Sequence, residues 1–202
     1  MSNEPKPLVV ILNGPPGCGK DTIAEEWLLK SHIASYSRYI KSFKEPMYKV
    51  ASAALGLNLE DFLEFYKDRN WKEKPRPEWG GRSVRDLMIS TSEDYLKPMF
   101  GKNYMGTQAV NSIKSEGRNH NDVILFTDGG FEAEVRELEK SFNVVVVQVH
   151  RNGCDFSGDS RNYIEGEQLE TCTLSNNRTI SEARYYLDWI IAENRDKVYG
   201  RS

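Results

Sequence analysis

Residues 8–12, Leu-Val-Val-Ile-Leu, form an unbroken apolar run of strand length, and the chain then reads Gly14-Pro-Pro-Gly-Cys-Gly-Lys-Asp-Thr22. A strand that is apolar at every position is covered on both faces, which places it inside a parallel sheet. Glycines at 14, 17 and 19 let the backbone curl until successive N–H groups face one concave anion site. A helix with apolar Ile23, Trp27 and Leu28 follows, so the positive end of its dipole faces the same place.

The rest of the chain alternates in the same way. Residues 123–127 and 144–149 are further apolar strands, 36–43 a more polar one, and 171–174 a last short one. Helical spacing covers Met47, Val50, Ala51, Ala54 and Leu55, with Pro46 suited to the first turn and Gly56 ending the stripe. Residues 59–66, 83–97, 104–115 and 132–140 also read as helices, as does a C-terminal stretch through Ile180, Ala183, Tyr186, Leu187, Ile190 and Ile191. Residues 67–82 carry charges, Pro75, Pro77, Gly80 and Gly81, and read as irregular. Strands alternating with helices predict an α/β fold on a central parallel sheet, here as one domain over residues 1–202.

Composition excludes several classes. At 39% hydrophobic and 28% charged residues over 202 positions the chain is globular, not disordered. A net charge of −3 argues against nucleic acid as the partner. The first residues show no basic-then-apolar leader, and no apolar run is long enough to span a bilayer, so a cytoplasmic location is expected. Cys18, Cys154 and Cys172 form no CxxC pair and read as reduced thiols, and His32, His120 and His150 lack metal-ligand spacing.

The glycine segment, lying between strand and helix, has the context of a Walker A loop. Gly14, Pro15, Gly17, Cys18, Gly19, Lys20, Asp21 and Thr22 are then the residues that cradle the phosphates of ATP, with Lys20 supplying a point charge to the β- and γ-groups. The usual pattern has a hydroxyl after the lysine to meet Mg²⁺, whereas Asp21 stands there; a carboxylate is itself a hard-cation ligand. Asp128 ends the strand at 123–127, where strand ends meet ligands in open α/β sheets, and is a second candidate for the metal or the acceptor. The polar loop at 151–168 offers Arg151 and Arg161 for closure over a transferring phosphoryl group.

With Gly-Lys-Asp-Thr after the glycines, the chain resembles the bacteriophage deoxynucleoside monophosphate kinases, a branch of the P-loop nucleoside monophosphate kinase superfamily. Ser42-Phe-Lys-Glu-Pro-Met-Tyr-Lys49 is similar to that family's Phe-Ala-Asp-Pro-Leu-Lys segment. Ser83-Val-Arg-Asp-Leu-Met-Ile-Ser-Thr-Ser-Glu93 is similar to its Pro-Arg-x-Leu-Leu-Gln-x-x-Gly-Thr-Glu helix, and Phe100-Gly101 to its following Phe-Gly. Asp128, Phe131 and Glu134 (or Glu132) resemble its Asp-x-Arg-Phe-x-x-Glu, and Asn176-Asn177 its Asn near the last strand. The resemblance implies a three-layer sandwich with about five parallel strands, an acceptor-binding insertion at about 36–105 and a lid at about 151–168. It implies Mg-ATP as donor, a (deoxy)nucleoside monophosphate as acceptor, a homodimer, and a phage protein working in the host cytoplasm. Lys49, Arg85 and Lys97 would hold the acceptor phosphate and Glu93 its base or sugar, with Lys20, Arg85, Asp128, Arg151 and Arg161 carrying catalysis.

Two departures stand out. Gly129-Gly130 replace the arginine of the family pattern, leaving Arg118 or Arg136 to substitute, and Gly158-Asp-Ser-Arg-Asn162 replaces a His-x-Ser-Glu lid. Tyr95, Trp79 and Tyr104 are available to stack on a base, although such aromatics usually pack. A kinase of another phosphorylated metabolite, of the phosphomevalonate or dephospho-coenzyme A type, and a non-catalytic nucleotide-binding protein fit the same residues.

Overall fold

The computed structural model describes residues 6–30, 36–159, 161–166 and 169–200; His32 and Ser160 lie outside them. Its strands are β1 (Leu8–Asn13), β2 (Ser37–Lys41), β3 (Asp122–Gly129), β4 (Asn143–His150) and β5 (Thr171–Ser175). Its α-helices are α1 (Lys20–Lys30), α2 (Glu45–Ala54), α3 (Leu59–Lys67), α4 (Arg69–Glu73), α5 (Val84–Ser90), α6 (Lys97–Phe100), α7 (Tyr104–Ser115), α8 (Glu132–Glu139) and α9 (Ile180–Tyr199). All strand pairings are parallel, and the five strands lie in the order β2-β3-β1-β4-β5.

β1 is central, and all six of its residues are buried, as its continuous apolar run requires. Alternation sorts its side chains between two cores. Leu8, Val10 and Leu12 join Val123, Leu125, Val145 and Val147 beneath Trp27 of α1 and Leu187, Ile190 and Ile191 of α9. Val9 and Ile11 join Ile124, Phe126 and Val146 beneath Met105, Val110 and Ile113 of α7 and Val135 and Leu138 of α8. The result is the α/β three-layer sandwich predicted from the sequence.

The helix after β1 covers one face and the helix after β3 the other, so a crevice opens between the C-terminal ends of these two neighbouring strands. Both the glycine segment and Asp128 emerge there.

Between β2 and β3 the chain builds a third, smaller core from Ala51, Phe62, Val84 and Met88, ringed by Tyr48, Tyr66 and Trp71. Residues 67–82 are more ordered than their composition suggests. Asp68 caps α4 by accepting from the Asn70 N–H at 2.8 Å, and Trp71 packs edge-on against Phe62 at 5.9 Å. A 3₁₀ turn at Pro77–Trp79 is closed by an antiparallel bridge between Arg76 and Arg82. One half-buried aromatic, Trp71, thus orders a segment whose charges and prolines read as irregular.

The predicted helix over 83–97 is continued to Phe100 through a π-helical stretch at Thr91–Leu96. Pro98, in the first turn of α6, has no N–H to return and its ring would press on the carbonyl four residues back, so the wider turn just before it has a steric reason.

α7 and α8 meet at Gly106. A Cβ there would lie 2.8 Å from the Glu134 carbonyl oxygen and 2.9 Å from its Cα, both backbone atoms that cannot swing aside. Gly106→Ala should therefore destabilise the protein by about 1–3 kcal/mol through overpacking, despite the roughly 1 kcal/mol that Ala gains as a helix former. Urea unfolding of the two proteins checks this, and an unchanged or higher midpoint would mean that the two helices are not so closely fitted.

Candidate functional site

The glycine loop closes β1 and opens α1, and it is held from outside as much as from within. A Cβ on Gly14 would lie 2.5 Å from the Val149 carbonyl oxygen, and one on Gly19 (φ +95°) 2.4 Å from the Asn176 Nδ2. Asn176, at the end of β5, donates to the Cys18 carbonyl at 2.8 Å from a buried position. Arg151, directly after β4, donates to the Gly17 carbonyl at 3.2 Å. Lys20 is 8% exposed, and its ammonium donates to the Gly14 and Pro15 carbonyls at 2.6 and 2.9 Å, folded onto its own loop. Cys18 packs beneath it, 3.6 Å from the Lys20 Nζ; burial pushes its thiol up, opposed by that ammonium. Asp21 and Thr22 are exposed on the first turn of α1.

Asp128 lies across the crevice but is already engaged. Its Oδ2 accepts from the Ser42 hydroxyl at 2.6 Å and its Oδ1 from the Phe43 N–H at 3.0 Å. It therefore clamps the turn between β2 and α2, and Asp21 is the carboxylate left to face a cation. The Tyr48 phenol links the two acids: burial pushes it far up, and the charges of Asp128 and Asp21 push the same way. Among the described residues no group of three or more His, Cys, Asp and Glu side chains could hold a metal ion. A Mg²⁺ here fits only as an ion shared between one carboxylate, water and ligand phosphate oxygens.

A group of cations gathers on the far side of the crevice. Lys97 Nζ lies 2.5 Å from Glu93 and 4.5 Å from the centre of the Phe131 ring. Burial tends to raise the Glu93 carboxyl, but Lys97 and the Ser92 hydroxyl outweigh it and hold it below the usual carboxylate value. Arg85 stands nearly free, its nearest acid Glu73 at 3.9 Å, and its charge is felt by Tyr66, Lys72 and Asp159.

Lys49 does not join this group. It lines a cavity of about 300 Å³ beside Lys41, Glu45, Gln108 and Ser112, whereas Lys44, at the N-cap of α2, is the lysine of this segment whose charge acts on Glu134 and Lys72. Lys44 was not singled out from the sequence, because only packing shows which lysine of Ser42–Lys49 comes near Glu134 and Lys72.

The two glycines after Asp128 have a structural reason. A Cβ on Gly130 would lie 2.3 Å from the Arg161 Cδ, so the lid arginine lies over the position where the resemblance expects a side chain. Arg161 is held there by a two-pronged contact to Asp159, Nε–Oδ1 2.8 Å and Nη2–Oδ2 2.6 Å, whose carboxyl this pairing holds down at about 2. The expected substitutes are occupied elsewhere. Arg118 pairs with Glu116 and lies over the Tyr39 ring, and Arg136 pairs with Glu132 and Glu139. Trp79 and Tyr104 pack, on Arg76 and Phe100 respectively, and Tyr95 is exposed.

Asn13, the last residue of β1, was not singled out from the sequence. It is buried, donates to the Gly129 and Asn162 carbonyls at 3.1 Å each, and accepts from the Ile164 N–H at 2.8 Å. At about 1 kcal/mol per bond, this one amide ties the end of β3 to the far part of the lid. A polar residue closing an apolar strand was its only signal.

Glu134 was noted only as a motif match. It is 5% exposed on the first turn of α8, and its carboxyl is pushed up to about 8 by burial and then by Asp128, against the pull of Lys97, Lys44 and Arg161.

No protein-family model matches the sequence, and no curated protein resembles it closely enough to register. Among solved structures it is similar to an APS kinase from Mycobacterium tuberculosis (TM-score 0.49, 13% identity, over 93% of this chain and 99% of that one). The same kinase in complex with AMPPNP and APS gives a TM-score of 0.48 at 13% identity, again over 93% of this chain and 99% of that one. A gluconokinase from Sinorhizobium meliloti 1021 gives 0.44 at 11% identity, over 96% of this chain and 97% of that one. Likenesses this remote carry no inference about what this chain binds.

Because Glu134 titrates above the unfolded value of 4.5, the folded protein keeps a proton that the unfolded chain releases, and stability falls as pH rises between about 4.5 and about 8. Glu134→Gln removes that dependence. Its Tm relative to the parent should climb from pH 5 to pH 8 and then level off, whereas a pH-independent difference would mean that this carboxyl ionises normally.

Proposed function

We propose that this protein transfers the terminal phosphoryl group of ATP to a (deoxy)nucleoside monophosphate. The observation that carries the reading is one crevice with cations gathered at both ends. The glycine loop with Lys20 and Arg151 forms one end, and Lys44, Arg85, Lys97 and Arg161 gather at the other, with Asp128 between. A single-phosphate ligand needs only the first. A reaction between two phosphate groups needs both, placed for in-line approach with charge neutralised on each side.

In this reading Lys20 leaves the Gly14 and Pro15 carbonyls for the β- and γ-phosphates, a short swing that loses two neutral acceptors and gains charged ones. Arg85 meets the acceptor phosphate, where a planar guanidinium can hold two oxygens at once. Arg161 exchanges Asp159 for phosphate oxygens as negative charge builds up. Mg²⁺, held with the help of Asp21, would supply charge neutralisation on the donor phosphates. The acceptor oxygen is already anionic, so no residue has to remove a proton from it.

ADP formation from Mg-ATP with dTMP, dGMP, dCMP, dAMP and their ribose counterparts tests the proposal. At least one acceptor should turn over. Lys20→Ala should cut kcat by at least about a hundredfold with the fold intact, and Arg85→Ala should raise the acceptor KM about tenfold or more while sparing the ATP KM. ATP binding without transfer to any of the eight would sink the acceptor assignment, and full activity in the Lys20 variant would sink the phosphate cradle.

A further inference from the structure

The acceptor side of the crevice contains a carboxyl that the transfer chemistry above does not use. Glu134 is 5% exposed, and among the described residues its side chain makes no hydrogen bond and no ion pair; its carboxyl oxygens are not fully enclosed, so they still touch solvent. Lys97 lies over the ring of Phe131, at the N-cap of the same helix α8, the Arg161 stem lies over Gly130 just before it, and the charges of these two cations, Lys44 and Asp128 all act on the Glu134 carboxyl. Gly106 of α7 fixes its backbone from behind.

None of the three cations is its salt-bridge partner. Lys97 is bonded to Glu93 and Arg161 to Asp159. An unpaired buried carboxylate is among the costliest groups a fold can carry, and the usual escape is to keep the proton. A neutral carboxyl offers an O–H donor, and the cations near it, Lys44 together with Lys97 and Arg161 once they exchange Glu93 and Asp159 for a ligand, select an oxyanion to receive it.

We propose that Glu134, as a neutral carboxylic acid, donates a hydrogen bond to the phosphate of the acceptor beside Lys44, Lys97 and Arg161, so that acceptor binding becomes coupled to proton uptake in alkaline solution. The identity of the acceptor rests on the function proposed above, whereas the oxyanion chemistry does not. The proton involved is the one that burial holds on Glu134 up to about pH 8. Above that pH the free protein has lost it, and a bound phosphate dianion, with its negative charge close by, recovers it from solvent.

The experiment is calorimetric titration of the Mg-free protein with inorganic phosphate and, separately, with dTMP, at pH 7.5 and pH 9 in buffers of different ionisation heat. The parent should take up most of a proton per bound ligand at pH 9 and bind several-fold more weakly there than at pH 7.5, with a limit of about tenfold per pH unit. Glu134→Gln keeps the donor and cannot titrate, so it should bind at both pH values with no uptake and no pH dependence. Glu134→Ala should bind more weakly at both.

Absence of uptake in the parent overturns the proposal, and so does an undiminished uptake in Glu134→Gln. If that variant does not fold, the parent's uptake alone decides. Uptake with inorganic phosphate but no binding of dTMP would leave the role of Glu134 standing and remove the nucleotide acceptor. Failure of the folded parent to bind either probe overturns the oxyanion site itself.

Discussion

Between β1 and α1 the backbone turns so tightly beneath the Val149 carbonyl that a Cβ at Gly14 would lie 2.5 Å from that oxygen, and most of the site depends on this contact. β4 can sit beside β1 only if the loop passes under its end, and the loop can curl around a phosphate only if something holds it curled. Asn176 from β5 supplies the second hold through the Cys18 carbonyl, and Arg151 supplies the third at Gly17. The cradle is thus a property of three strand ends.

On the other side of β1 one buried amide plays the matching part. Asn13 joins the end of β3 to residues 162 and 164 of the lid, while Ile164 sinks into the core under α7 and α8. The lid is therefore anchored at its far end, and Arg161 reaches the crevice from a fixed base. Its stem occupies the volume that Gly130 leaves open, so one bare position and one long cation form a single fitted unit.

The helices between β2 and β3 bring the remaining cations. Their small core around Phe62 is aromatic, and its packing sets where Arg85 and Lys44 stand. The π turn ahead of Pro98 redirects the following helix, and Lys97 lies in that first turn. Asp128 ties this whole excursion to the sheet through Ser42 and Phe43, so one acid determines how the acceptor side meets the cradle.

The sequence alone determined the central strands, because each is covered on both faces and so had to be written as a continuous apolar run. It also determined the phosphate loop, because that geometry is made by neighbouring residues and needs only the glycines, the lysine and a helix start. Edge strand β2, with its mixed residues, was legible only to within a few positions, and α4 was hidden because Trp71, which orders it, finds its partner only in three dimensions. Tertiary structure decided the far side of the crevice. It brought Lys44 rather than Lys49 near Glu134, placed Arg161 over Gly130, engaged Asp128 in the β2–α2 turn, and buried Glu134 near three cations. Each of these is a meeting of side chains far apart in the chain, and their charge states follow from burial and neighbours that no local pattern encodes.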